Sequence, residues 1–316
     1  MSQSPLFTVG IICFNRVTMV RDAIESALKQ EFADFELVLV DDGSTDGSAD
    51  IIRDYAQQAK VVVREQNGGE MAARNSALTV ARGEYVAFLD SDDQWFPWTL
   101  ATYAEAIERH NRPTIVGGKM FEFRDPGQVN DVEQSPYADS ASTCYFTGSH
   151  YFGVVSAAIR RSAIDDVGRF VDVRFVGPDA DLMFRIGDRP GFVRIESPFT
   201  FAYRQHGGNI MANVEMRYHG ARQWIESESE GKYPGGAALR AERLRHITLH
   251  TRAMSVQCLY NRQYGLAFDL YRRTFRWNLL LRRWAYLASF PWMAICPPLI
   301  RIRESYFQRK RTQLSC

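Results

Sequence analysis

The stretch Gly83-Glu84-Tyr85-Val86-Ala87-Phe88-Leu89-Asp90-Ser91-Asp92-Asp93 decides how the chain is read. Its apolar run, Tyr85 to Leu89, has the length and composition of a strand buried on both faces. Three carboxylates, Asp90, Asp92 and Asp93, follow at once. Like charges do not share a low-dielectric site unpaired, because each costs desolvation and repels the others. They need a cation or a solvent-filled cleft. A surface turn would also suit them, since Asp and Ser are common turn residues, so the neighbouring segments decide.

Upstream, apolar strands alternate with helical patterns. Thr8 to Cys13 is a strand closing on Phe14-Asn15-Arg16, and Val20, Ala23, Ile24, Ala27 and Leu28 then fall on one helical face. Phe35 to Val40 is a second strand, ending in Asp41-Asp42-Gly43-Ser44-Thr45-Asp46-Gly47. A helix from about Ser48 to Ala56, a short strand Val61 to Val63, and a helix through Ala72, Ala73, Asn75, Ala77 and Val80 lead to the opening stretch. This alternation predicts right-handed βαβ units around a parallel sheet. Ligands of such sheets bind beyond the carboxyl ends of the strands. Asn15-Arg16, Asp41-Asp42, Asn67-Gly68-Gly69 and Asp90-Ser91-Asp92 all belong to that edge.

Those residues limit the chemistry. No Gly-x-Gly-x-x-Gly or Gly-x-x-x-x-Gly-Lys-Ser/Thr follows a strand, which removes support for dinucleotide oxidoreduction and P-loop phosphate transfer. A site built on carboxylates can accept hydrogen bonds from a base or a ribose but repels phosphate. A diphosphate beside Asp90 and Asp92 therefore calls for a divalent metal, Mn²⁺ or Mg²⁺, which take oxygen ligands and phosphates together. Such an ion neutralises charge on a departing diphosphate.

Three motifs together resemble the family 2 glycosyltransferases of the GT-A fold. They are Asp41-Asp42-Gly43-Ser44-Thr45-Asp46, Asn67-x-Gly69 with Ala73-Arg74-Asn75, and Gly83 to Asp93, in order and at these spacings. The resemblance covers roughly residues 6 to 208. It implies an α/β fold, a GT-A-type Rossmann-like mixed sheet flanked by helices. It implies a nucleoside-diphosphate sugar donor, a UDP-sugar favoured, and inversion at the anomeric carbon. Asp41 maps to the nucleobase contact, with Asn15 and Asp42 beside it, and Arg74 to a nucleotide-site arginine. Asp90 and Asp92 map to the ribose and metal-diphosphate contacts.

An inverting transfer needs one general base on the acceptor hydroxyl. Thr114 to Phe123 reads as a further core strand, Arg124 to Thr143 as a long surface loop, and Val154 to Ile159 as apolar again. Then comes Val176-Gly177-Pro178-Asp179-Ala180-Asp181-Leu182-Met183-Phe184-Arg185. Pro178 and Asp179 suit the first turn of a helix, so a simple capping role fits them too. The family commonly carries Glu-Asp-x-Asp-Leu-x-x-Arg here, with its first Asp as the base, which maps to Asp179. Pro178 stands where Glu is usual, a departure that touches the acceptor site. Asp181 is a second candidate with a structural alternative. Asp93 and Trp95 are acceptor-side candidates, and core packing is the alternative for Trp95, Phe96 and Trp98. His206, in Arg204-Gln205-His206, matches an Arg-x-His that the family often carries, and is placed in the metal shell or on the diphosphate.

The 316 residues are 46% hydrophobic and 24% charged, an ordinary globular composition. Five scattered cysteines suggest neither a disulfide framework nor a zinc site. Met1 to Pro5 carries no signal-peptide pattern. The net charge of +1 hides an asymmetry: from Leu239 to Cys316 fifteen Lys or Arg face three acids. The expected division is a catalytic domain over 1–213, with a nucleotide-sugar half (about 1–123) and an acceptor half (124–213), then a basic helical region over 214–316. Within that region Trp284 to Ile300 lacks any charge but contains Pro291, Pro297 and Pro298, so a clean membrane span is not expected. Apolar and aromatic residues flanked by Arg suit a membrane surface, and packing on protein is the alternative. Nucleic acid is not expected as a partner, because apolar residues interleave the basic ones.

The sequence therefore reads as a metal-dependent glycosyltransferase acting on a glycan or lipid-linked glycan in cell-surface polysaccharide synthesis. The expected location is cytoplasmic, peripheral at the inner face of the membrane, with the oligomeric state left open. A non-catalytic subunit of the same fold, suggested by Pro178, and a nucleotidyltransferase are the competing readings. The latter usually needs a basic Gly-rich loop where Phe14-Asn15-Arg16 stands.

Overall fold

The computed structural model describes residues 4–148, 153–171, 178–207 and 213–295. They fall into two compact units, one reaching residue 207 and the other starting at residue 213.

The first unit is built on a mixed eight-stranded sheet. Strands β1 (Phe7–Cys13), β2 (Phe35–Asp41), β3 (Lys60–Val63) and β4 (Tyr85–Asp90) run parallel in the order β3-β2-β1-β4. Helices α1 (Val20–Leu28), α2 (Ser48–Arg53) and α3 (Glu70–Val80) connect them. Every residue of β1 is buried, as befits a strand with a parallel neighbour on each side and helices on its faces. Gly83 opens β4 where the backbone of Phe7 and Thr8 runs past. A Cβ there would lie 2.3 Å from the Thr8 amide nitrogen, so only glycine fits the crossing.

Beyond β4 antiparallel pairs enter and the sheet is mixed, as the resemblance implies. A two-residue strand β5 (Gln94–Trp95) and helix α4 (Thr99–Arg109) lead to β6 (Ile115–Gly117) and β7 (Met120–Phe123), in place of one strand over 114–123. The break falls at Gly118, whose amide donates to Ser156 O (2.7 Å) and where a Cβ would sit 2.1 Å from Thr200 Oγ1. The expected loop over 124–143 holds helix α5 (Gly127–Asn130) and an edge strand, β8 (Ala138–Ser142). Strand β9 (Ala157–Arg160) lies antiparallel between β4 and β6, and α6 (Arg161–Asp166) follows it. After α7 (Pro178–Arg185), β10 (Phe192–Ser197) completes the order β3-β2-β1-β4-β9-β6-β10-β8. Strand β11 (Phe201–Arg204) joins β5 and β7 in a second, three-stranded sheet. The core lies between the main sheet and its helices, around Ile11, Leu39, Ala87, Leu100 and Tyr103.

The second unit contains α8 (Val214–Ser229), α9 (Arg240–Tyr260), α10 (Tyr264–Leu280) and α11 (Trp284–Ile295). The Asn213 side chain caps α8 by accepting from the Met216 amide (3.0 Å). A buried Arg243–Glu228 pair (2.7 Å) ties α9 to α8, and Tyr218 Oη donates to Asp269 (2.8 Å), tying α8 to α10. Pro291 sits inside α11 rather than ending it. Aromatic packing holds the helix at that point: Phe290, next to the proline, stacks on Tyr271 with ring centroids 4.6 Å apart. Among the described residues no helix is long and apolar enough to cross a membrane. Val176-Gly177, residues 296–300 of the apolar stretch and the basic run 301–311 lie outside the described residues.

Candidate active site

Strand register levels the acids. Ile12 of β1 lies opposite Asp90 of β4, and Cys13 opposite Asp41 of β2, so both carboxylates leave the sheet at one edge on either side of β1. Asp41 is buried. Its Oδ2 accepts from the Ser44 amide (3.0 Å), while Oδ1 is buried with no hydrogen-bond partner. A buried carboxylate oxygen without a donor is costly, and it is the atom a ligand N–H or hydroxyl would satisfy. Asn15, at the end of β1 with φ +52°, accepts from the Thr45 amide through its side chain (2.9 Å) and faces the same loop.

Asp42 does not share that role. Its two oxygens accept from the Gly68 (3.0 Å) and Gly69 (2.8 Å) amides, and Arg64 Nε lies 2.8 Å away. It is buried and holds the turn that starts α3. The turn requires glycine, since Gly69 has φ +91°.

The turn after β4 gathers Asp90, Asp92 and Asp93, with one oxygen from each within 4.8 Å of the others. Each acid has a different neighbour. Arg74, fully buried between the Phe88 and Phe170 rings, approaches Asp90 Oδ1 at 3.1 Å and Glu70 at 2.5 Å. Burial opposes its charge, but Glu70, Asp90 and Asp179 outweigh that and raise its pKa. Its Nε and Nη1 are buried without hydrogen-bond partners. Asp92 Oδ2 is shared by Arg16 Nε (3.3 Å) and His206 Nε2 (3.0 Å). Burial and the charge of Glu70 and Asp92 push Asp90 up to about 7 against the pull of Arg74, although 36% of its side chain is exposed and water screens part of that rise.

Asp93 is corrected. Burial, with Asp90 and Asp92 nearby, pushes its carboxyl up to about 9. Its Oδ1 accepts from the Arg204 amide (2.7 Å) and Oδ2 is buried without a partner. It closes the underside of the acidic turn and is not open to an acceptor. Trp95, for which core packing was the alternative, is 3% exposed and packs edge-on against Tyr103 (6.5 Å), because β5 turns its side chain into the core. Phe96 and Trp98 stack on each other at 5.1 Å.

Asp179 stands in the first turn of α7, close enough to Arg74 to raise its pKa. Gly153 opposes it, where a Cβ would meet Asp179 Oδ2 at 2.9 Å, so the absent side chain leaves the carboxylate room. Asp181 is buried and pairs with Arg185 (2.8 Å), which donates to Val167 O and Arg169 O, both at 2.7 Å. Its place is structural: it anchors the helix that carries Asp179. Asn75 adds a second anchor, exchanging hydrogen bonds with Phe170 N (3.1 Å) and O (2.9 Å).

The sequence reading did not assign Arg16, Glu70 or Arg204 to the site. Arg204 donates to Asp92 O and to Asp22, both at 2.8 Å, and so straps the acidic turn to α1. Their signals were positional: Arg16 ends the β1 edge cluster, Glu70 lies four residues before Arg74 on α3, and Arg204 begins the Arg-x-His.

Fold and site together define an α/β scaffold with carboxylates gathered at the carboxyl edge of its sheet. The structure resembles the crystal structure of TarS residues 1–349 from S. aureus, with a TM-score of 0.64 at 21% identity over 96% of this chain and 91% of that one. TarS has also been solved with UDP and with UDP-GlcNAc. The fold is accordingly GT-A. The profile described as "Glycosyl transferase family 2" matches residues 8–168, and the chain belongs to that family. An uncharacterized glycosyltransferase of Nostoc sp., alr2836, is 40% identical over 297 residues, 90% of this chain and 84% of that protein. The putative teichuronic acid biosynthesis glycosyltransferase TuaG of Bacillus subtilis is 44% identical over 94 residues, 29% of this chain. The matched stretch spans 37% of TuaG and 38% of a second B. subtilis relative, little over a third of each.

Proposed function

We propose that the protein transfers a sugar, with inversion, from a nucleoside-diphosphate sugar to a hydroxyl of a glycan or lipid-linked glycan, in cell-surface polysaccharide synthesis. The observation that carries this is Arg74. One buried guanidinium feels both Asp90, at the acidic turn, and Asp179, on α7. Donor corner and base candidate therefore share one charge network. Asp41 Oδ1, buried and without a donor, suits a base or ribose hydrogen atom. UDP is the favoured nucleotide, in keeping with the TarS complexes.

A divalent cation fits the acidic turn. The donor set is all oxygen, one atom from each of three acids lies within 4.8 Å of the others, and Asp93 Oδ2 is buried without a partner. Asp90 and Asp92 would hold it, with His206 beside Asp92. When bound, such an ion stabilises negative charge on the departing diphosphate. Arg16, at Asp92, and Arg74, with unpartnered N–H groups, are placed to add positive charge on the same side. Asp179 takes the proton of the acceptor hydroxyl as its oxygen attacks the anomeric carbon, and the bond to the diphosphate breaks on the opposite face. The unit beginning at residue 213 adds a membrane-facing function: peripheral attachment at the inner face, where a lipid-linked acceptor is presented.

The test is Asp179→Asn assayed with a panel of nucleotide sugars, Mn²⁺ and lipid-linked glycan acceptors. Transfer is expected to drop about 10²- to 10⁴-fold, with nucleoside-diphosphate affinity within about twofold of the parent. A variant that transfers as well as the parent would remove Asp179 from the role of base.

A further inference from the structure

The last described helix of the second unit, α11, has two unlike faces. On one, Leu287 and Phe290 are buried against α10, and Tyr286 joins the aromatic cluster with Tyr271 and Phe268. On the other, Trp284, Ala288, Trp292 and Ile295 recur at helical spacing. Trp284 is 59% exposed, Trp292 70% and Ile295 73%. The helix carries no charged residue. The apolar exposure continues back across the turn into Leu279 and Leu280 at the end of α10. Two exposed tryptophans on one helix face are an unusual surface for water.

Beside this face lies a cluster of like charges. Arg283 immediately precedes Trp284, and its Nη2 reaches Arg245 O at 3.5 Å while Nη1 is buried without a hydrogen-bond partner. Burial, and then Arg252 and Arg245, lower its pKa to about 10. Arg252 is also partly desolvated, with its guanidinium 5.7 Å from the Tyr286 ring centre and its Nε donating to Thr248 O. Arg245 pairs with Glu242 through its own guanidinium, and no acid is among the groups that set the charge of Arg283. Arg283 thus feels two further positive charges while one of its own N–H groups is unsatisfied, an arrangement that an anion stabilises. The N-terminus of α11 opens at the next residue and adds its partial positive charge.

We propose that the α9–α11 corner docks on an anionic phospholipid surface, with Arg245, Arg252 and Arg283 meeting lipid phosphates and the Trp284–Ala288–Trp292–Ile295 face lying in the interface. Charge complementarity selects this occupant. A protein partner for so apolar a face would not need the arginine cluster at its edge, and a nucleic acid would not need the exposed Trp and Ile. With 12 residues α11 is about 18 Å long. That is short of a span and long enough to lie in the plane of the headgroups. The inference deepens the membrane attachment in the proposed function. It is read without donor or acceptor, so its failure leaves the transfer chemistry standing, and the reverse holds too.

The test is co-sedimentation of the full chain with vesicles of phosphatidylcholine alone and of phosphatidylcholine mixed with phosphatidylglycerol. Binding is expected to the mixed vesicles only and to weaken as salt rises. Trp284→Ser with Trp292→Ser is expected to weaken it roughly tenfold, about 1.4 kcal/mol, with an unchanged circular dichroism spectrum and melting temperature. Arg283→Gln, which gives up one long contact to Arg245 O, should lower binding to the mixed vesicles specifically, with the melting temperature kept. Equal binding to both vesicle types, or no loss in the double Trp variant, would overturn the proposal. So would failure to bind together with a self-association abolished by Trp292→Ser, since the face would then meet a second copy of this chain.

Discussion

Asp93 differs from Asp90 and Asp92 in burial and in having no cationic side chain at its carboxylate in place of Arg74, Arg16 or His206, and that difference sets its chemistry. Its carboxyl is pushed up to about 9 and that of Asp90 to about 7, while an unfolded chain releases both protons near pH 4. The folded protein therefore binds more protons than the unfolded one between these values, so stability falls as pH rises from about 4 towards 7 and 9. In EDTA, the urea midpoint is expected to be higher at pH 5 than at pH 8. Asp93→Asn keeps an oxygen for the Arg204 amide without the charge and should flatten this slope. A midpoint equal at both pH values would contradict the placement of these acids. The sequence showed three acids in a row and the need for a cation or cleft. It did not show that Asp93 turns inward, because alternation after a strand end has no fixed phase. For the same reason the sequence left Trp95 between an acceptor-side place and core packing, and the short strand β5 points it at Tyr103.

Elements were legible where periodicity is strong. Strands β1, β2 and β4 and helices α1 and α3 lie within a residue or two of their expected places, because a parallel strand buried on both faces cannot be mistaken for a surface segment. The acceptor half was harder. Gly118 splits one apolar run between two sheets, β8 is a polar edge strand without an apolar signal, and Pro291 is tolerated inside α11 by its aromatic neighbours. Helix α7 shows what an element adds to a site. Arg185, paired with Asp181 one turn earlier on the same helix, ties α7 to the carbonyls of Val167 and Arg169, with side-chain exposures of 18% and 7% for the Arg–Asp pair. Removing Arg185 takes a charge-assisted hydrogen bond from a mostly buried carboxylate, so Arg185→Ala is expected to lower unfolding free energy by about 2 kcal/mol. Transfer activity should fall along with it, while nucleoside-diphosphate binding is kept. Urea unfolding with an activity assay checks both, and a fully stable, fully active variant would show that α7 is held by other contacts.

At the scale of the molecule, charge separates two kinds of work. The first unit concentrates its acids at the carboxyl ends of β2 and β4, where register sets Asp41 and Asp90 on either side of β1. The second carries the excess of arginine and the exposed aromatic face. The donor corner was legible because its residues follow strands directly. Arg16 and Arg204 were not assigned because their roles depend on contacts across 76 and 112 residues of sequence, to Asp92. The most direct measurement is calorimetric titration with UDP, GDP and dTDP, in Mn²⁺ and in EDTA, on the parent, Asp92→Asn and Asp41→Asn. One nucleotide is expected to bind at least about tenfold more tightly with Mn²⁺. Asp92→Asn should remove that dependence, and Asp41→Asn should weaken binding with or without the ion. Equal affinity in Mn²⁺ and EDTA, unmoved by Asp92→Asn, would contradict a metal-diphosphate site at the end of β4.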